Sequence, residues 1–374
     1  MLLLVAGCSG PEAPSPGVLP PPRPPPHRLC EGTEELATLQ AIAHGTADGC
    51  QRDKYLQMIM ERGRNVGPWI EEIWVAPSPD AKQVELDKAV LVRSSAAVPE
   101  VIRHEGRTYL FYGEGDLGLG FELASEGSDW FLTRGLLGYG ALGLLVSDDG
   151  VTFEPVPDFA IQDLVVGMVV DPDVIQLPDG RFRLYYVGLP IETLVDDATW
   201  NDDAQHDVYY AESDDLIHWK QLGMAVHGPI ADPSVLCLTP QRCRMFSTGM
   251  DHSHSEDGGR SFVFDGATKV KGFAPEFLVE GDRLSQFYNG MIHGGPLLTR
   301  SSTDKGKTWS DPEQAVEAYK VEAPSFTRAP DGEGWLMYYH YYMEEYRDIY
   351  PARPSQDDAG EATGEPRSAA ASEG

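Results

Sequence analysis

A short unit recurs five times along the chain and constrains the fold more than any other feature. Each copy has a residue followed by proline, an apolar residue two positions after the proline, then a turn and a strand. The copies begin Val98-Pro99-Glu100-Val101, Asp171-Pro172-Asp173-Val174, Asp232-Pro233-Ser234-Val235, Ala274-Pro275-Glu276-Phe277 and Ala323-Pro324-Ser325-Phe326. Such a repeat indicates an array of similar units, because one unit alone cannot bury its apolar face.

A second motif is interleaved with the first. It begins with serine, continues with acidic residues and ends with an aromatic residue. Its copies start at Ser147, Ser213, Ser255 and Ser302, with a degraded copy at Ser78. These segments resemble the Asp-box of sialidases and related propellers. The resemblance implies a hairpin turn in which the serine and aspartate side chains bond the local backbone, so these aspartates are expected to be structural.

The spacing between the two motifs is nearly constant. Between 20 and 25 residues separate each box serine from the proline of the next repeat. Each unit therefore has room for four short strands, and a four-stranded sheet repeated around an axis is the blade of a β-propeller. We predict an all-β, five-bladed β-propeller, a turn-rich fold that also accounts for the 39 Gly and 29 Pro residues.

The two ends of the repeat region complete each other. The last repeat supplies strands only near Ala323 to Arg328 and Trp335 to His340, whereas unpartnered strands are expected at Ile70 to Ala76 and Lys82 to Leu86. We predict that these N-terminal strands close the last blade, which leaves no exposed sheet edge. The predicted divisions are a lipoprotein signal remnant at 1–8, a proline-rich linker at 9–29, a short helical N-terminal segment at 30–66, the propeller at 67–350 and a disordered acidic tail at 351–374.

The N-terminus and the cysteines indicate export. The segment Val5-Ala6-Gly7-Cys8 resembles the bacterial lipobox, which implies acylation of Cys8 and a lipid-anchored, periplasmic or extracellular location at the bacterial cell envelope. The other four cysteines are an even number, and we expect the disulfides Cys30–Cys50 and, across a hairpin, Cys237–Cys243. A net charge of −30 disfavours nucleic acid and anionic membrane surfaces, so the membrane is reached only through the anchor.

The repeat starts bring acidic residues together. The first strand of each propeller blade lines the central channel, so the five starts meet near one mouth. The acidic residues gathered there are Glu100, Asp171, Asp173, Asp232, Glu276 and Glu322. Because neighbouring carboxylates repel each other, at least one pKa is expected to rise, which suits a general acid. The alternative is that these side chains only cap backbone groups where the inner strands begin.

These starts resemble those of the five-bladed glycoside hydrolases that include arabinanases, β-xylosidases and α-arabinofuranosidases. The resemblance covers roughly residues 69–350. It implies that Asp171 and Asp232 act as base and pKa-modulating residue and Glu322 as the acid, with Glu276 as the alternative acid. Two carboxyls cleave a glycosidic bond when one protonates the leaving oxygen and the other directs water or attacks carbon. The first blade departs from the family pattern, because Val98 stands where an aspartate would precede the proline.

Long segments between the expected strands, at 113–140 and 189–206, predict a binding surface. The candidate substrate-binding residues are Glu100, Asp173, Trp200, Asn201, Asp203, His252 and His293. Aromatic rings offer a face to a sugar, and carboxylates and amides accept hydrogen bonds from its hydroxyls. The chemistry requires no cofactor. The histidines and aspartates at 251–254 and His293 could bind calcium or another cation in the central channel, and the identity of any metal is left open.

The sequence therefore predicts a glycoside hydrolase-like envelope lipoprotein that acts on a glycan or oligosaccharide. The alternative is a non-catalytic propeller that binds carbohydrate or protein, since a fold does not determine a function. A sialidase-like enzyme is a weaker alternative, because no arginine triad stands out. Convergence of Asp171, Asp232 and either Glu322 or Glu276 in one pocket would favour the hydrolase. The oligomeric state is left open.

Overall fold

The computed structural model describes residues 34–62, 67–126, 129–196, 206–228, 230–267, 270–291, 295–316 and 321–344. The helices are α1 (Glu35–Ala43), α2 (Gly49–Arg62), α3 (Leu117–Glu126), α4 (Phe131–Arg134) and α5 (Ile191–Asp196), with 3₁₀ turns at Gly67–Ile70, Leu86–Lys88 and Thr248–Met250. The strands are β1 (Glu71–Ser78), β2 (Val90–Ser94), β3 (Ala96–His104), β4 (Arg107–Glu114), β5 (Gly135–Leu136), β6 (Gly140–Ser147), β7 (Glu154–Pro155), β8 (Ala160–Gln162), β9 (Met168–Gln176), β10 (Phe182–Leu189), β11 (Asp207–Ser213), β12 (His218–Val226), β13 (Ser234–Cys237), β14 (Cys243–Phe246), β15 (Asp251–Ser255), β16 (Val263–Ala267), β17 (Phe273–Glu280), β18 (Arg283–Asn289), β19 (Leu297–Ser302), β20 (Glu313–Val316), β21 (Glu322–Arg328) and β22 (Trp335–Tyr342). Within these ranges, no helix combines the length and the apolar character needed to cross a membrane.

The strands form five sheets around a central channel. The first blade contains β3–β7, the second β8–β12, the third β13–β16 and the fourth β17–β20, and the fifth has the order β2-β1-β22-β21. The inner strands β3, β9, β13, β17 and β21 each lie at the edge of their sheet and contact the inner strand of the next blade, so they close into a ring. The predicted all-β, five-bladed β-propeller is confirmed.

The fifth blade joins strands from both ends of the propeller. β1 pairs with β22 along its whole length, from Glu71 opposite Tyr342 to Ser78 opposite Trp335. The backbone groups of β1 that face β22 are therefore satisfied without an exposed edge. The predicted closure of the last blade by N-terminal strands is confirmed.

The second N-terminal strand lies further along the chain than the sequence predicts. The expected strand at 82–86 is wrong, and the strand that pairs with β1 is β2. The Asp80 carboxylate accepts hydrogen bonds from the N–H groups of Lys82 and Gln83 at 2.9 and 2.7 Å, which holds this stretch in a turn. Such aspartate-stabilised turns compete with strand pairing.

Each inner strand has the same backbone irregularity at its proline. The residue before the proline has a positive φ in all five blades: Val98 47°, Asp171 51°, Asp232 48°, Ala274 45° and Ala323 43°. In four blades, this residue and its proline together lie opposite a single tyrosine of the second strand: Tyr112, Tyr186, Tyr288 and Tyr339. Two residues opposite one define a β-bulge, which bends the strand and changes the direction of its side chains. In these four blades, the bulge therefore sets the positions of the side chains that flank the proline at the channel.

The box motifs form turns in which the serine and aspartate side chains make local hydrogen bonds. In the four full copies, the serine hydroxyl donates to the aspartate two residues later at 2.9, 3.0, 2.7 and 2.7 Å. The N–H groups of Thr152 and Val151 donate to the Asp149 carboxylate at 2.7 and 2.8 Å and hold its pKa at about 2. These contacts give the box aspartates a structural role.

One of the two predicted disulfides lies in the third blade. Cys237 and Cys243 are directly opposite each other in β13 and β14, and their sulfurs are bonded. The predicted Cys237–Cys243 bridge is confirmed. Cys30 lies outside the described residues, so the Cys30–Cys50 pair stays a prediction.

The helices form a wall on one side of the channel mouth. α3 and α4 follow the second strand of the first blade, and α5 follows the second strand of the second blade. Because neighbouring strands are antiparallel, these connections emerge at the end where the inner strands begin. α1 contacts α4 and α5, and α2 contacts α3. The Tyr55 hydroxyl of α2 donates to the Leu137 carbonyl at 2.7 Å. The long segments predicted as binding loops therefore carry helices.

Candidate functional site

A cavity opens where the inner strands begin. It is lined by the five repeat prolines and by Val98, Glu100, Asp171, Asp173, Asp232, Ala274, Glu276 and Ala323. Its empty space measures about 320 Å³ when the open solvent at its mouth is counted. Away from the walls the cavity has room for only about two water molecules, which is too little for a sugar ring. A sugar would therefore bind at the mouth.

Five titratable side chains interact with one another beside the mouth end of the cavity, and we call them the mouth cluster: Glu71, Asp171, Asp232, Glu322 and His340. Of these, Asp171 and Asp232 line the cavity. Asp171 Oδ2 accepts a hydrogen bond from the Asp232 N–H at 3.2 Å, and the Thr248 hydroxyl donates to Asp232. Glu322 begins β21 and lies opposite His340 of β22, with Oε2 of Glu322 3.6 Å from Nε2 of His340. The charges of both Glu322 and Asp232 act on His340. The three acids Asp171, Asp232 and Glu322 therefore belong to one cluster.

Three further acids lie deeper, and we call them the channel triad: Glu100, Asp173 and Glu276. One carboxylate oxygen of each residue lies within 4.8 Å of an oxygen of each of the other two. Glu100 Oε2 accepts a hydrogen bond from the Ser325 hydroxyl at 2.9 Å. Glu276 is thus placed with the channel triad, one level below Asp171 and Asp232.

Backbone N–H groups from neighbouring blades donate to several of these acids. The Val174 N–H donates to Glu100 Oε1, and the Val235 N–H donates to Asp173 Oδ2, each at 3.2 Å. The Asp232 N–H makes the equivalent bond to Asp171. The acids therefore hold the inner strands of adjacent blades together. This is the capping role that the sequence leaves open as an alternative, and it uses one oxygen of each carboxyl.

Burial raises the pKa of nearly every acid in the cavity. Burial, together with the charge of Asp232, raises the pKa of Asp171 to about 8, and burial raises that of Glu100 to about 8. Burial and then the charge of Glu100 raise the pKa of Asp173 and Glu276 well above their ordinary values. A carboxyl with such a pKa keeps its proton at neutral pH, so the cavity holds proton donors.

In the mouth cluster, hydrogen bonds and neighbouring charges oppose the effect of burial on the pKa of Asp232 and of His340. Burial raises the pKa of Glu71 and of Asp232, although the Thr248 hydroxyl opposes the shift of Asp232. Burial lowers the pKa of His340, but the charges of Glu71, Glu322 and Asp232 outweigh it and raise this pKa to about 9. Protons are therefore distributed over the cluster as a whole.

The structure separates the predicted site residues into groups. Asp171, Asp173, Asp232, Glu100 and Glu276 line the cavity, and Glu322 joins them through His340. His252 lies elsewhere: it is in β15, its ring stacks on Phe246 with 5.8 Å between centroids, and it does not line the described cavity. Trp200, Asn201, Asp203 and His293 lie outside the described residues, so their predicted roles are not tested. Cys8 also lies outside them.

Two members of the mouth cluster are missing from the sequence prediction. His340 is 7% exposed and is the one histidine in a strand of aliphatic and aromatic residues, which is a signal that the sequence offers. Glu71 is the first residue of β1 and 6% exposed. It reaches the cluster only because β1 pairs with β22 more than 250 residues later. A buried acid at a strand start gives no comparable signal.

Among the described residues, the oxygens of the channel triad lie close enough together to surround one cation. Carboxylate oxygens are the ligands that calcium prefers. However, both oxygens of Glu100 already accept hydrogen bonds, from Val174 and Ser325, and Asp173 accepts one from Val235. These carboxyl groups therefore accept hydrogen bonds from the protein and share protons with one another. We assign no metal to them.

No protein-family model matches the chain, and no curated protein is similar to it in sequence. Solved structures match in fold. A GH43 β-1,3-galactosidase is 13% identical over 63% of this chain and 50% of its own, with a TM-score of 0.45. The GH43 protein BlXynB of Bacillus licheniformis is 12% identical over 65% of this chain and 48% of its own, also with a TM-score of 0.45.

A third structure is an exo-β-1,3-galactanase of Phanerochaete chrysosporium with β-1,3-galactotriose. It is 9% identical over 76% of this chain and 67% of its own, with a TM-score of 0.46. This chain spans about half the length of the first two proteins. The likeness is one of fold alone, and no residue role is taken from it.

Proposed function

We propose that the protein hydrolyses a glycosidic bond of a glycan or oligosaccharide at the channel mouth. The observation that supports this most is the meeting of Asp171, Asp232 and Glu322 in one buried cluster. Glycoside hydrolysis needs two carboxyls in different protonation states, one to protonate the leaving oxygen and one to direct water. A purely capping role does not account for Glu322, whose buried Oε1 has no hydrogen-bond partner among the described residues.

Glu322 is the acid in this proposal. Its Oε2 faces His340, and its buried Oε1 has no hydrogen-bond partner among the described residues, so Oε1 is the oxygen to which the proposal assigns the transferred proton. As the bond between the anomeric carbon and the leaving oxygen breaks, the proton of Oε1 passes to that oxygen. Glu322 is then a carboxylate, and a proton from solvent restores it.

Asp232 directs the water. Two adjacent carboxyls do not both ionise readily, so the Asp171–Asp232 pair keeps one proton at neutral pH. Burial raises both pKa values, but the Thr248 hydroxyl stabilises the Asp232 carboxylate, whereas the charge of Asp232 adds to the rise of the Asp171 pKa to about 8. Asp232 is therefore the ionised member. It accepts a proton from water as the water oxygen bonds to the anomeric carbon, and Asp171 is the modulating neighbour.

The second candidate function is a propeller that binds carbohydrate or protein without catalysis. The interblade hydrogen bonds to Asp171, Asp173 and Glu100 favour it, because they give these acids a structural reason to be present. In that case the helical wall beside the mouth would form the binding surface and the channel acids would only join the blades.

Hydrolysis of nitrophenyl pentosides and hexosides, followed by arabinan, xylan and mannan oligosaccharides, tests the proposal. We expect at least one of these glycosides to be cleaved, with release of nitrophenol or of reducing ends. Calorimetry on the same sugars separates the two candidates. Binding without cleavage, unchanged in Asp232→Asn and Glu322→Gln, would establish the non-catalytic propeller instead.

We also propose that the protein is held at a bacterial envelope through Cys8. The support is the lipobox-like segment and the proline-rich spacer that follows it. With a complete export signal placed upstream, wild-type protein should incorporate a labelled fatty acid and Cys8→Ser should not. Equal labelling of the two proteins would exclude the anchor.

A further inference from the structure

A second group of buried polar side chains lies in the fourth blade, on the face that packs against the third, and it does not line the cavity. Gln286 of β18 and Arg300 of β19 are directly opposite each other, and the Arg300 Nε–H donates to Gln286 Oε1 at 2.8 Å. Tyr288 is two residues beyond Gln286 in β18, so its side chain leaves the same face of the sheet. Arg300 is 5% exposed and the other two are fully buried. We call these three side chains the donor group.

Aromatic rings from both blades surround the guanidinium of Arg300. Its Cζ lies 4.8 Å from the ring centroid of Trp309, 5.8 Å from that of Phe246 and 6.0 Å from that of Tyr288. Phe246 belongs to β14 of the third blade, and its ring contacts Trp309 of the fourth with 6.3 Å between centroids. Ring faces attract a cation, but they carry no net charge. The rings therefore leave the positive charge of Arg300 without a counterion.

Each member of the donor group has a polar atom with nothing to bond. Nη2 of Arg300, Nε2 of Gln286 and the hydroxyl of Tyr288 are buried and have no hydrogen-bond partner among the described residues. The two nitrogens can only donate. Burial raises the pKa of Tyr288, so its hydroxyl keeps its proton and can donate as well. Because buried donors without an acceptor are rare and costly, three of them together indicate a bound acceptor.

The charge of Arg300 identifies the kind of acceptor. Burial lowers the pKa of Arg300, yet a guanidinium stays protonated at neutral pH. Among the residues that the structure describes, the titratable group that acts on its charge is Tyr288, and no carboxylate does. A buried cation without a counterion is unfavourable. A water molecule accepts two hydrogen bonds and carries no charge, whereas a monovalent anion accepts all three and neutralises the guanidinium.

We propose that the donor group binds a small monovalent anion, such as chloride, at the interface of the third and fourth blades. The anion accepts hydrogen bonds from Arg300 Nη2, Gln286 Nε2 and the Tyr288 hydroxyl. Such charge-assisted bonds are stronger than bonds between neutral groups. Since the three donors come together only when β18 and β19 are paired, the anion binds the folded protein and stabilises it. This proposal does not depend on hydrolysis at the mouth.

Bromide is the probe that locates the site. It resembles chloride in charge and chemistry, and it is visible by its anomalous X-ray scattering. In crystals of the full chain grown in sodium bromide, we expect an anomalous peak within hydrogen-bond distance of the three donor atoms. A water molecule at this place without anomalous signal, or bromide bound only at the protein surface, would overturn the proposal.

Thermal unfolding measures the binding in solution. Sodium chloride replaces sodium gluconate at constant ionic strength, so that the screening of surface charges does not change. We expect the Tm of the wild-type protein to rise by a few degrees and to reach a plateau. Tyr288→Phe keeps the ring but removes one donor, so its half-maximal response should need at least about tenfold more chloride. A wild-type Tm that does not respond to chloride would contradict the proposal.

Gln286→Glu tests the charge separately. The new carboxylate can still accept the Arg300 Nε–H, and it places a negative charge where the amide nitrogen was. We expect this variant to lose the response of its Tm to chloride, because Arg300 then has a counterion within the protein. The matched control is Arg260→Gln, an exposed arginine of the third blade, which should respond as the wild-type protein does. A normal response in Gln286→Glu would place the chloride effect elsewhere in the protein, and the proposal would fail.

Discussion

Asp232→Asn and Glu322→Gln are each expected to lower kcat by roughly 10²–10⁴-fold on a natural oligosaccharide, because each removes one half of the acid–base pair. Asn and Gln are nearly isosteric with the acids, so little volume changes in the buried cluster. Asp171→Asn should also lose most turnover, since it alters the proton shared with Asp232. Steady-state kinetics on the best substrate, with circular dichroism to verify the fold, measures these losses.

The leaving group distinguishes the two roles. A nitrophenol needs no protonation to depart, so nitrophenyl glycosides should partly rescue Glu322→Gln and should not rescue Asp232→Asn. The matched control is Asp311→Asn, an exposed acid outside the cavity, which should retain full activity. If Glu276→Gln abolished activity while Glu322→Gln remained active, the acid would belong to the channel triad instead of the mouth cluster.

The repeat predicts the propeller because its two motifs recur at nearly constant spacing along the chain. Each blade start and each box serine marks a fixed place in a four-stranded sheet, so five copies suffice to count five blades. The closure of the fifth blade follows from the same count, since two strands are missing at one end. The position of β2 is not periodic: it depends on the Asp80 turn and the 3₁₀ turn at Leu86–Lys88, which delay the strand to Val90. A turn that depends on one side chain is hard to distinguish from a strand in the sequence alone.

The site is predictable where the repeat itself places it. Asp171, Asp173, Asp232, Glu100 and Glu276 flank the repeat prolines, and first strands line the channel, so their meeting follows from the fold. Glu71 and His340 enter by pairing between β1 and β22 and between β21 and β22, which no local pattern specifies. The bulge at four of the five prolines is likewise a property of the paired strands. The sequence alone therefore identifies the acids near the repeat prolines, but neither Glu71 nor the histidine that links Glu322 to the cluster.

The free energy of unfolding is expected to fall as pH rises from about 4.5 to about 8. The pKa of Glu100 is about 8 in the folded protein against an ordinary value of 4.5, because the side chain is buried. Between these two values the folded protein binds more protons than the unfolded chain, so raising the pH favours unfolding. A pKa difference of one corresponds to about 1.4 kcal/mol, so Glu100 lowers the free energy of unfolding by on the order of a few kcal/mol over this pH range. Urea unfolding at pH 5 and pH 8.5 measures the difference.

Glu100→Gln should make the pH dependence shallower, because glutamine cannot ionise and can still accept the Val174 N–H. The matched control is Asp149→Asn. Hydrogen bonds from the Thr152 and Val151 N–H groups lower the pKa of Asp149 to about 2, so its contribution is present above its ordinary pKa of 3.8 and is lost only as the pH falls through about 2. This variant should therefore change stability equally at pH 5 and pH 8.5 and leave the slope intact. A wild-type protein that is equally stable at both pH values would mean that the channel acids are not held in their neutral form.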